Sequence, residues 1–491
     1  MSTVTVEVDV SDGINFFMVG LADNAVKESQ QRIGSAISKF GYRIPGKKII
    51  INLAPANIRK EGTAYDLAIA IAIISASGQA SFESLDDFLI MGELALDGSL
   101  RPISGALPII LHAKECGYKG CILPLGSAIE GAEIEGITVF GAKNFKEVID
   151  ILDDPSLSAD KIVTPIIDMT PSGREFDFAD VLGQESAKKG LEVAAAGGHN
   201  VIMIGSPGSG KTFMAKCLPS ILPKMCAEES LQTSKIYSVA SMLDARGGLM
   251  RTRPFRQPHH TSTVQSLAGS LGMPGEVSLA HNGVLFADEL AEFSRSSLEL
   301  LRQPLEDRQI QICRAKVRVC YPASFMFVAA MNPCPCGYYN HSGKVCNCSV
   351  SAILKYRSKL SGPLMDRIDI QLQISPVSAN EIVGESGKKG ESSEQIARRV
   401  KRARDIQYKR YRGEDFFTNA QIPSGLINKY CVIGVKERRF VKEMISRMQL
   451  SARGYTRVLK VARTIADLEG VEQIQIRHIA QAVQYKLNDE F

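Results

Sequence analysis

The chain has no apolar run approaching the ~20 residues that a membrane-spanning helix requires. Its first residues also lack the basic flank and the continuous apolar core of a signal peptide. No internal repeat of the solenoid type is found along the sequence. These absences argue against a membrane-spanning protein, an exported protein and a repeat array. We therefore expect a cytoplasmic protein with no membrane partner.

The chain also has little excess charge, because its formal net charge is only +5. A charge this small does not by itself indicate a nucleic-acid partner, so any such partner must be argued from local basic clusters. Eleven cysteines in a cytoplasmic chain indicate free thiols or metal ligands rather than disulfides. The length of 491 residues predicts about three domains.

Residues 205–212 form a complete phosphate-binding P-loop between a short apolar strand and a helix. The apolar run Val201–Ile204 precedes the loop, and the helix is predicted over Lys211–Leu222. Glycines allow backbone N–H groups to converge on phosphate oxygens, and the helix N-terminus adds positive potential. Lys211 is expected to reach the β- and γ-phosphates, and the Thr212 hydroxyl to ligate Mg²⁺. The predicted ATP-binding residues are Gly205, Ser206, Pro207, Gly208, Ser209, Gly210, Lys211 and Thr212.

Two later strands end in polar residues that would complete an ATPase site. Gly283–Glu289 is an apolar strand that ends in two carboxylates. Asp288 is expected to hold Mg²⁺ through water, and Glu289 to orient and deprotonate the attacking water. The strand Phe325–Met331 ends at Asn332, whose amide would position the γ-phosphate or that water. The alternative for Asn332 is a cap on the following turn.

Together these elements resemble the AAA+ branch of P-loop ATPases, and further motifs resemble the YifB/ComM members of the magnesium-chelatase-like family. The motifs are Phe178–Glu185, Gly197–Asn200, Gln257–Thr261, Asn332–Gly337 and Gly362–Asp369. The resemblance implies an α/β AAA+ core with a helical C-terminal lid. It also implies a hexameric ring that hydrolyses ATP on DNA, since ComM proteins drive branch migration during natural transformation. Composition and spacing imply none of this by themselves.

The resemblance also gives roles to two arginines. Arg367 matches the position from which one subunit of an AAA+ ring stabilises the transition state in its neighbour's site, an effect worth about 10³–10⁵ in rate in other NTPases. The alternative is an ion pair with a neighbouring aspartate of the same chain. Arg453 matches the sensor-2 position of the lid, where it would contact the γ-phosphate. Arg457, one helical turn later, is the rival for that role.

Two basic segments between the P-loop and Asn332 are predicted to project from the core. Arg246–Glu276 is interpreted as an insertion that points towards the ring pore. Gln309–Tyr321 has the alternation of a β-hairpin, and hairpins at this place in related motors touch the translocated polymer. For both segments the alternative is an ordinary solvated surface. The candidate DNA contacts are Arg251, Arg253, Arg256, His259, His260, Arg314, Lys316 and Arg318.

Four cysteines form two Cys-x-Cys pairs, Cys334 with Cys336 and Cys346 with Cys348, separated by nine residues. Four thiolates satisfy a tetrahedral Zn²⁺ ion, and a closed four-sulfur shell is typical of a structural rather than a catalytic site. His341 is an alternative ligand. The sequence therefore predicts a structural zinc site.

The first ~150 residues are predicted to form a separate α+β domain. Its segments Pro55–Leu67 and Met91–Pro108 resemble the Lon-protease/ribosomal-S5-like fold. An active protease of that type needs a serine nucleophile activated by a lysine. Ala64 and Leu107 stand at those two positions, so a peptidase is not expected. A scaffold, a partner-binding domain and a DNA-guiding domain remain open.

A linker rich in proline and serine and a second rich in serine, glycine and lysine divide the chain. The helix after the second linker, Gln395–Arg412, is dense in basic residues, which favours either a polyanion contact or a solvated face. The predicted division is a Lon-protease-like domain at 1–152, a linker at 153–174, the AAA+ core with the four-cysteine insert at 175–377, a linker at 378–394 and the helical lid at 395–491.

The leading hypothesis is a ring-shaped motor that uses ATP to move branched or partly single-stranded DNA. Two other classes share the same ATPase core. One is a protein-remodelling ATPase whose N-terminal domain captures clients. The other is a magnesium-chelatase-type subunit that drives metal insertion into a porphyrin.

Overall fold

The computed structural model describes residues 2–165, 176–244, 248–314, 317–341, 343–377, 390–448 and 450–486. The chain divides into two compact units. Unit 1 consists of Met1–Thr170 and Ser230–Met250, and unit 2 of Pro171–Glu229 and Arg251–Phe491. Residues 230–250, which the sequence division placed in the ATPase core, therefore group with the N-terminal residues. No helix among the described residues is both long and apolar enough to cross a lipid bilayer.

The strands of unit 1 are β1 (Thr5–Ser11), β2 (Phe16–Val19), β3 (Lys48–Ala54), β4 (Phe88–Ile90), β5 (Glu93–Leu94), β6 (Leu100–Arg101), β7 (Gly120–Pro124) and β8 (Thr138–Ala142). In one sheet β3 lies between β1, which is antiparallel to it, and β2, which is parallel. A second, parallel sheet has the order β4-β7-β8, and β5 and β6 form a hairpin. Unit 1 is therefore an α+β fold, as the sequence predicts.

The core of unit 1 forms around the helix Asp66–Ala76, which is apolar on every side and buries Leu67, Ile69, Ile71 and Ile73. A helix that is hydrophobic all round must be enclosed by other elements. The helices within residues 1–165 are Asn24–Lys27, Ser29–Ser38, Asp66–Ala76, Ala106–Glu115, Leu125–Ala128 and Phe145–Asp153.

The strands of unit 2 are β9 (Val201–Gly205), β10 (Phe255–Arg256), β11 (Val284–Ala287), β12 (Gln309–Arg314), β13 (Val317–Pro322), β14 (Met326–Met331) and β15 (Ile370–Ile374). Five of them form a parallel sheet in the order β10-β11-β14-β9-β15. Carboxyl ends of parallel strands meet at one edge, so the residues after β9, β11 and β14 become neighbours. This is the α/β core that the sequence predicts.

The strand β9, which lies between β14 and β15, is buried on both faces, as a strand inside a parallel sheet must be. Val201 and Met203 face one core cluster, which includes the lid helices, while Ile202 and Ile204 face a second. The helices from residue 176 onwards are Glu185–Gly197, Lys211–Cys217, Ala227–Val239, Val264–Ala268, Glu276–Leu279, Arg295–Leu300, Arg302–Asp307, Val350–Arg357, Gly362–Met365, Ser393–Arg410, Ile427–Tyr430, Val435–Met448, Ala452–Leu468 and Ile476–Gln484.

The lid helix Ser393–Arg410 begins at a capping box on Ser392 and buries an apolar face through Ile396, Val400 and Ala403. Three of its arginines form ion pairs or hydrogen bonds inside unit 2. Arg399 pairs with Glu192 and Glu391, Arg404 donates to the Ala195 carbonyl at 2.9 Å, and Arg410 forms a two-pronged pair with Asp467 at 2.6 and 2.8 Å. These arginines therefore stabilise the fold, so the many basic residues of this helix are weaker evidence for a polyanion contact.

Candidate functional site

The P-loop follows β9 directly and leads into the helix Lys211–Cys217. Gly208 and Gly210 adopt positive φ values of 76° and 87°, which residues with a side chain rarely adopt. The Lys211 Nζ donates to the carbonyls of Gly205 and Ser206, both at 2.8 Å. Burial lowers the pKa of Lys211, while the Asp288 carboxylate opposes that shift. A buried ammonium among neutral carbonyls, beside a glycine-rich loop, suits the phosphates of ATP.

Thr212 and Asp288 meet beside this loop. The Thr212 hydroxyl donates to Oδ2 of Asp288 at 2.8 Å, and the other carboxylate oxygen accepts the backbone N–H of Glu289 at 3.0 Å. A hydroxyl and a carboxylate are the hard oxygen ligands that Mg²⁺ prefers. The residues present therefore fit a Mg²⁺ ion, and Thr212 and Asp288 are the ones that would hold it.

Glu289 follows Asp288 with a left-handed backbone, at φ 52°, and its side chain is 57% exposed. Its carboxylate pairs with His260, whose Nδ1 lies 3.3 Å from Oε2. The His259 ring lies 4.1 Å from the His260 ring, and its Nδ1 is 2.8 Å from the Thr261 hydroxyl. His260 was a candidate DNA contact, but its neighbour is the candidate general base. We therefore move it into the ATPase site.

Asn332 follows β14, and β14 pairs with β9 through Met331 and Ile204. The residue therefore stands at the sheet edge that carries the P-loop. Gly337, five residues later, lies against both the P-loop and Asn332. A Cβ built on it would be 2.6 Å from the Pro207 ring and 3.8 Å from Cγ of Asn332. This position agrees with the role predicted for Asn332 beside the γ-phosphate, which stays a prediction.

The four cysteines after Asn332 converge, and all four sulfur atoms lie within 4.8 Å of one another. Cys334 is fully buried, while the other three are partly exposed. A backbone N–H from Tyr338 lowers the pKa of the Cys336 thiol to about 6. His341, the alternative ligand, is not in this group. Its Nδ1 instead accepts the backbone N–H groups of Gly343 and Lys344 at 2.9 and 3.0 Å.

Arg367 and Arg453 approach the same carboxylate. Arg367 pairs with Glu306 and also donates to the Pro363 carbonyl at 2.7 Å. Arg453 lies 3.9 Å from the other oxygen of Glu306. The partner of Arg367 is therefore neither of the adjacent aspartates considered from the sequence, and the two arginines form one cluster around Glu306.

This arginine cluster lies near the amino-terminal ends of the parallel strands, whereas the P-loop lies at their carboxyl ends. The carbonyl of Arg367 accepts the Asn200 side chain at 2.9 Å, and Asn200 immediately precedes β9, whereas Ser206 immediately follows it. Six residues of extended chain span about 20 Å. Arg367 is thus separated from the P-loop of its own chain by about one strand length.

The two rivals for the sensor-2 role differ in exposure. The Arg453 side chain is 62% exposed, whereas that of Arg457 is 16% exposed and lies 3.6 Å from the Asp369 carboxylate. Burial lowers the pKa of Arg457, and Asp369 opposes the shift. Arg457 is thus part of the packing between the lid and the core. The exposed Arg453 remains the better candidate for a contact outside its own chain.

The candidate DNA contacts divide into two groups. Arg253 forms a two-pronged pair with Glu229 at 3.0 and 2.8 Å, and Arg256 forms one with Glu276 at 2.7 Å for both bonds. Both arginines are mostly buried, so these pairs hold loops of unit 2 together. Removing either guanidinium would cost a partly buried carboxylate its bidentate ion pair, and we therefore reassign both arginines from DNA contact to structure.

The predicted hairpin is confirmed, because β12 and β13 pair antiparallel from Gln309 opposite Pro322 to Arg314 opposite Val317. Arg318 is exposed on it, with its guanidinium 2.6 Å from the Gln311 side chain. Lys316 lies outside the described residues, and only the backbone of Arg314 is described. Arg251 and His259 are exposed and remain candidate DNA contacts.

Sequence reasoning missed Glu306 and the pairing of His260. Glu306 carried no signal, because a single glutamate in a charged helix does not reveal which cation it faces. His260 carried a weak one, since a histidine in a polar loop after a sheet strand is typical of a residue that reaches the active edge. Both pairings join residues far apart in the chain.

The two positions of unit 1 that align with the protease serine and lysine carry no catalytic group. Leu107 is fully buried, and its backbone N–H donates to Glu130 at 3.1 Å. Burial raises the pKa of Glu130. Ala64 has no nucleophilic atom, so the chemistry that a serine and a lysine would supply has no equivalent at these two positions.

Comparison with known families agrees with this geometry. The family described as magnesium chelatase, subunit ChlI, matches residues 177–382. Subunit ChlI of Mg-chelatase matches residues 6–127, and the ChlI C-terminal family matches residues 390–486. The three matches together cover most of both units.

Curated relatives extend the match to the whole chain. An uncharacterized protein YifB of Escherichia coli K12 is 40% identical over 491 residues, covering 99% of this chain and 94% of the relative. Competence protein ComM of Haemophilus influenzae is 38% identical over 491 residues, covering 98% and 94%. Lon protease 2 of Bacillus subtilis is 32% identical over 132 residues, which is 26% of this chain and 23% of the protease. The chain therefore belongs to the YifB/ComM family of magnesium-chelatase-like AAA+ ATPases, and it is an ATP-hydrolysing enzyme with a Lon-like part.

Proposed function

We propose that this ATPase assembles into a hexameric ring and uses ATP hydrolysis to move branched or partly single-stranded DNA. The family supports the ATPase, and one full-length relative is named a competence protein, which favours DNA as the polymer. The exposed hairpin β12–β13 supplies a surface on which a polymer could bear.

The observation that carries the proposal is the position of Arg367. Its own P-loop is about 20 Å away along β9, at the opposite edge of the sheet. An arginine on that edge can complete a nucleotide site only if the site belongs to a neighbouring subunit. Arg453 lies on the same side, around the same Glu306. A ring of identical subunits would bring both arginines to each P-loop, which links hydrolysis to movement between subunits.

The residues of this chain divide the work of hydrolysis. Lys211 and the loop N–H groups would hold the phosphates, and Thr212 with Asp288 would hold Mg²⁺, which supplies positive charge next to the phosphate oxygens. Glu289 would accept a proton from the attacking water once its carboxylate is released from His260. Asn332 would keep that water in line. Arg367 would arrive from the neighbour and stabilise the charge that develops.

DNA contact is assigned to the exposed part of the basic set. Arg318 on the hairpin, Arg251 before β10 and His259 after β10 are all exposed, so their side chains can reach phosphates. Such contacts release counterions, so binding should weaken steeply with salt. They carry no sequence information, which suits a motor that must move along any DNA.

Turnover measurements with different effectors test the proposal. ATP hydrolysis is measured with a four-way DNA junction, with forked DNA, with an unfolded protein and with no addition. We expect clear stimulation by DNA that falls as salt rises. Stimulation by unfolded protein alone would favour a remodelling ATPase instead. Indifference to all of these, with stimulation by a porphyrin-binding partner, would favour a chelatase-type subunit.

A further inference from the structure

The four-cysteine loop, residues 334–348, lies next to the candidate nucleotide site. Cys334 follows Asn332 after a single proline, and Cys348 immediately precedes Ser349, which caps the helix Val350–Arg357. That helix reaches back through Arg357, whose Nε donates to the Pro333 carbonyl at 3.3 Å. The loop therefore starts and ends beside the sheet edge that carries the P-loop.

The sulfur geometry suits a metal ion. Sulfur–sulfur distances are 3.4 Å from Cys334 to Cys336, 3.7 Å from Cys334 to Cys346 and 3.5 Å from Cys336 to Cys346. A tetrahedral Zn²⁺ with Zn–S bonds of about 2.3 Å separates its sulfurs by roughly 3.8 Å. A disulfide would require about 2.05 Å. Four thiols gathered at these distances are therefore arranged as ligands rather than as bonded pairs.

The contact that joins this loop to the nucleotide site is Gly337 against Pro207. Gly337 has φ 83°, and its backbone N–H donates to the Cys334 carbonyl at 3.0 Å. A Cβ on Gly337 would lie 2.6 and 2.7 Å from two carbons of the Pro207 ring. The close approach is possible only because residue 337 has no side chain. Pro207 in turn belongs to the P-loop, whose N–H groups would face the phosphates of a bound nucleotide.

We propose that zinc bound by Cys334, Cys336, Cys346 and Cys348 holds Gly337 against Pro207, so that zinc occupancy sets the affinity of the P-loop for nucleotide. Without the metal, the 334–348 segment regains the freedom of an open loop, since metal binding and local folding are linked. Gly337 then no longer supports Pro207. The inference concerns the ATPase alone and does not depend on DNA as the polymer.

Measurements of zinc content and nucleotide affinity test whether the four cysteines bind zinc and whether its loss weakens nucleotide binding. The purified full chain should contain about one zinc per molecule, as a four-thiolate site predicts. The Cys346→Ser/Cys348→Ser variant should lose the zinc and bind ADP or ATP at least about tenfold more weakly by calorimetry, which corresponds to a tenfold rise in Kd. Cys313→Ser, which changes an exposed cysteine of the hairpin, is the matched control and should keep both properties.

A glycine substitution tests the coupling with the metal in place. Gly337→Ala should retain zinc but bind nucleotide about tenfold more weakly, because the methyl group pushes against Pro207. Gly343→Ala lies in the same loop, where its Cβ would meet only the His341 ring at 3.6 Å or more, and should behave as wild type.

Each outcome separates the possibilities. Wild-type protein that binds iron or no metal would overturn the zinc site. Equal nucleotide affinity in the zinc-free and zinc-loaded proteins, or in Gly337→Ala and wild type, would overturn the coupling while leaving the metal site intact. Failure of the zinc-loaded wild type to bind any nucleotide would contradict the ATPase itself.

Discussion

Nδ1 of His260 lies 3.3 Å from Oε2 of Glu289, so the carboxylate expected to activate water is paired with a histidine of the loop after β10. A carboxylate oxygen that faces a histidine cannot at the same moment face the attacking water, so the pair occupies the atom that would take the proton. Its neighbour Asp288 lacks this pairing with His260 and contacts Thr212 instead. The two adjacent carboxylates thus have separate partners.

Removing the histidine should change hydrolysis without changing binding. In His260→Ala the Glu289 carboxylate is free, so basal kcat should rise by about a few-fold while the KM for ATP stays unchanged. Steady-state turnover over a range of ATP concentrations measures both constants. His259→Ala is the control, since that ring packs on His260 and its Nδ1 faces Thr261. A basal kcat equal to or below that of wild type would show that the pair does not restrain the base.

Glu289→Gln should lower the rate of hydrolysis, whereas His260→Ala should raise it, and nucleotide binding should again be unchanged. The amide keeps the size of the side chain but cannot take a proton, so kcat should fall by about 10²–10⁴ while nucleotide affinity is retained. Single-turnover hydrolysis and calorimetric ATP binding measure the two effects. Glu292→Gln, which changes a nearby exposed glutamate paired with Lys359, should hydrolyse normally. Normal turnover by Glu289→Gln would mean that another group is the base.

Subunit mixing tests whether Arg367 acts on a neighbour. Arg367→Ala and Lys211→Ala proteins should each lose turnover, by about 10³-fold or more for the arginine. Mixed in equal amounts, they should recover part of the activity, because an intact P-loop can then face an intact arginine. Arg302→Ala, at an exposed arginine paired with Glu299 of the preceding helix, is the control for charge loss. A mixture as inactive as its components would contradict a shared site.

The hairpin arginine should affect DNA affinity and its salt dependence together. Arg318→Ala should weaken binding to all DNA sequences similarly and reduce the slope of log K against log salt by about 1, as loss of one phosphate contact predicts. Fluorescence anisotropy at several salt concentrations gives the slope. Arg398→Ala removes an exposed arginine of the lid helix that is paired with Glu394 and is the control. An unchanged slope for Arg318→Ala would remove the hairpin from the DNA path.

Acid should destabilise unit 2 through His281. Burial lowers the pKa of His281 to about 4 from 6.5, and its Nδ1 accepts the Ser324 backbone N–H at 3.0 Å. Between pH 6.5 and 4 the unfolded chain therefore binds a proton that the folded chain does not. Stability from this group is complete above pH 6.5 and falls as pH drops towards 4, by on the order of 1–3 kcal/mol.

Calorimetric unfolding at pH 7.5 and pH 5 measures this loss. The Tm of wild type should fall more between these values than the Tm of His281→Asn, whose amide does not titrate. His259→Asn should follow the wild-type profile. Equal pH dependence in wild type and His281→Asn would show that this histidine is not the source.

The parts of the fold that were predictable from sequence are those fixed by short-range pattern. The run before Gly205 and the run before Asn332 became β9 and β14, and the alternating segment before Tyr321 became the hairpin. The helix after Lys211 is shorter than predicted. Pro219 lacks an N–H, and the chain continues from Cys217 as a 3₁₀ turn over Leu218–Ile221 instead of reaching Leu222 as an α-helix.

The parts that were not predictable depend on partners distant in sequence. An arginine in a basic loop looks the same whether it faces solvent or, like Arg253, a glutamate 24 residues earlier. The same applies to Arg367 and Glu306, which are 61 residues apart. The grouping of residues 230–250 with unit 1 also arises from packing across the chain, which local composition does not encode.

The most direct test of the proposed function is the movement of a DNA branch point. Wild-type protein is incubated with ATP and a labelled four-way junction, and the products are separated by gel electrophoresis. The DNA-motor account predicts conversion of the junction into forked products by wild type, and binding without conversion by Glu289→Gln. A wild-type enzyme that hydrolyses ATP rapidly yet leaves junctions and forks unmoved would contradict it.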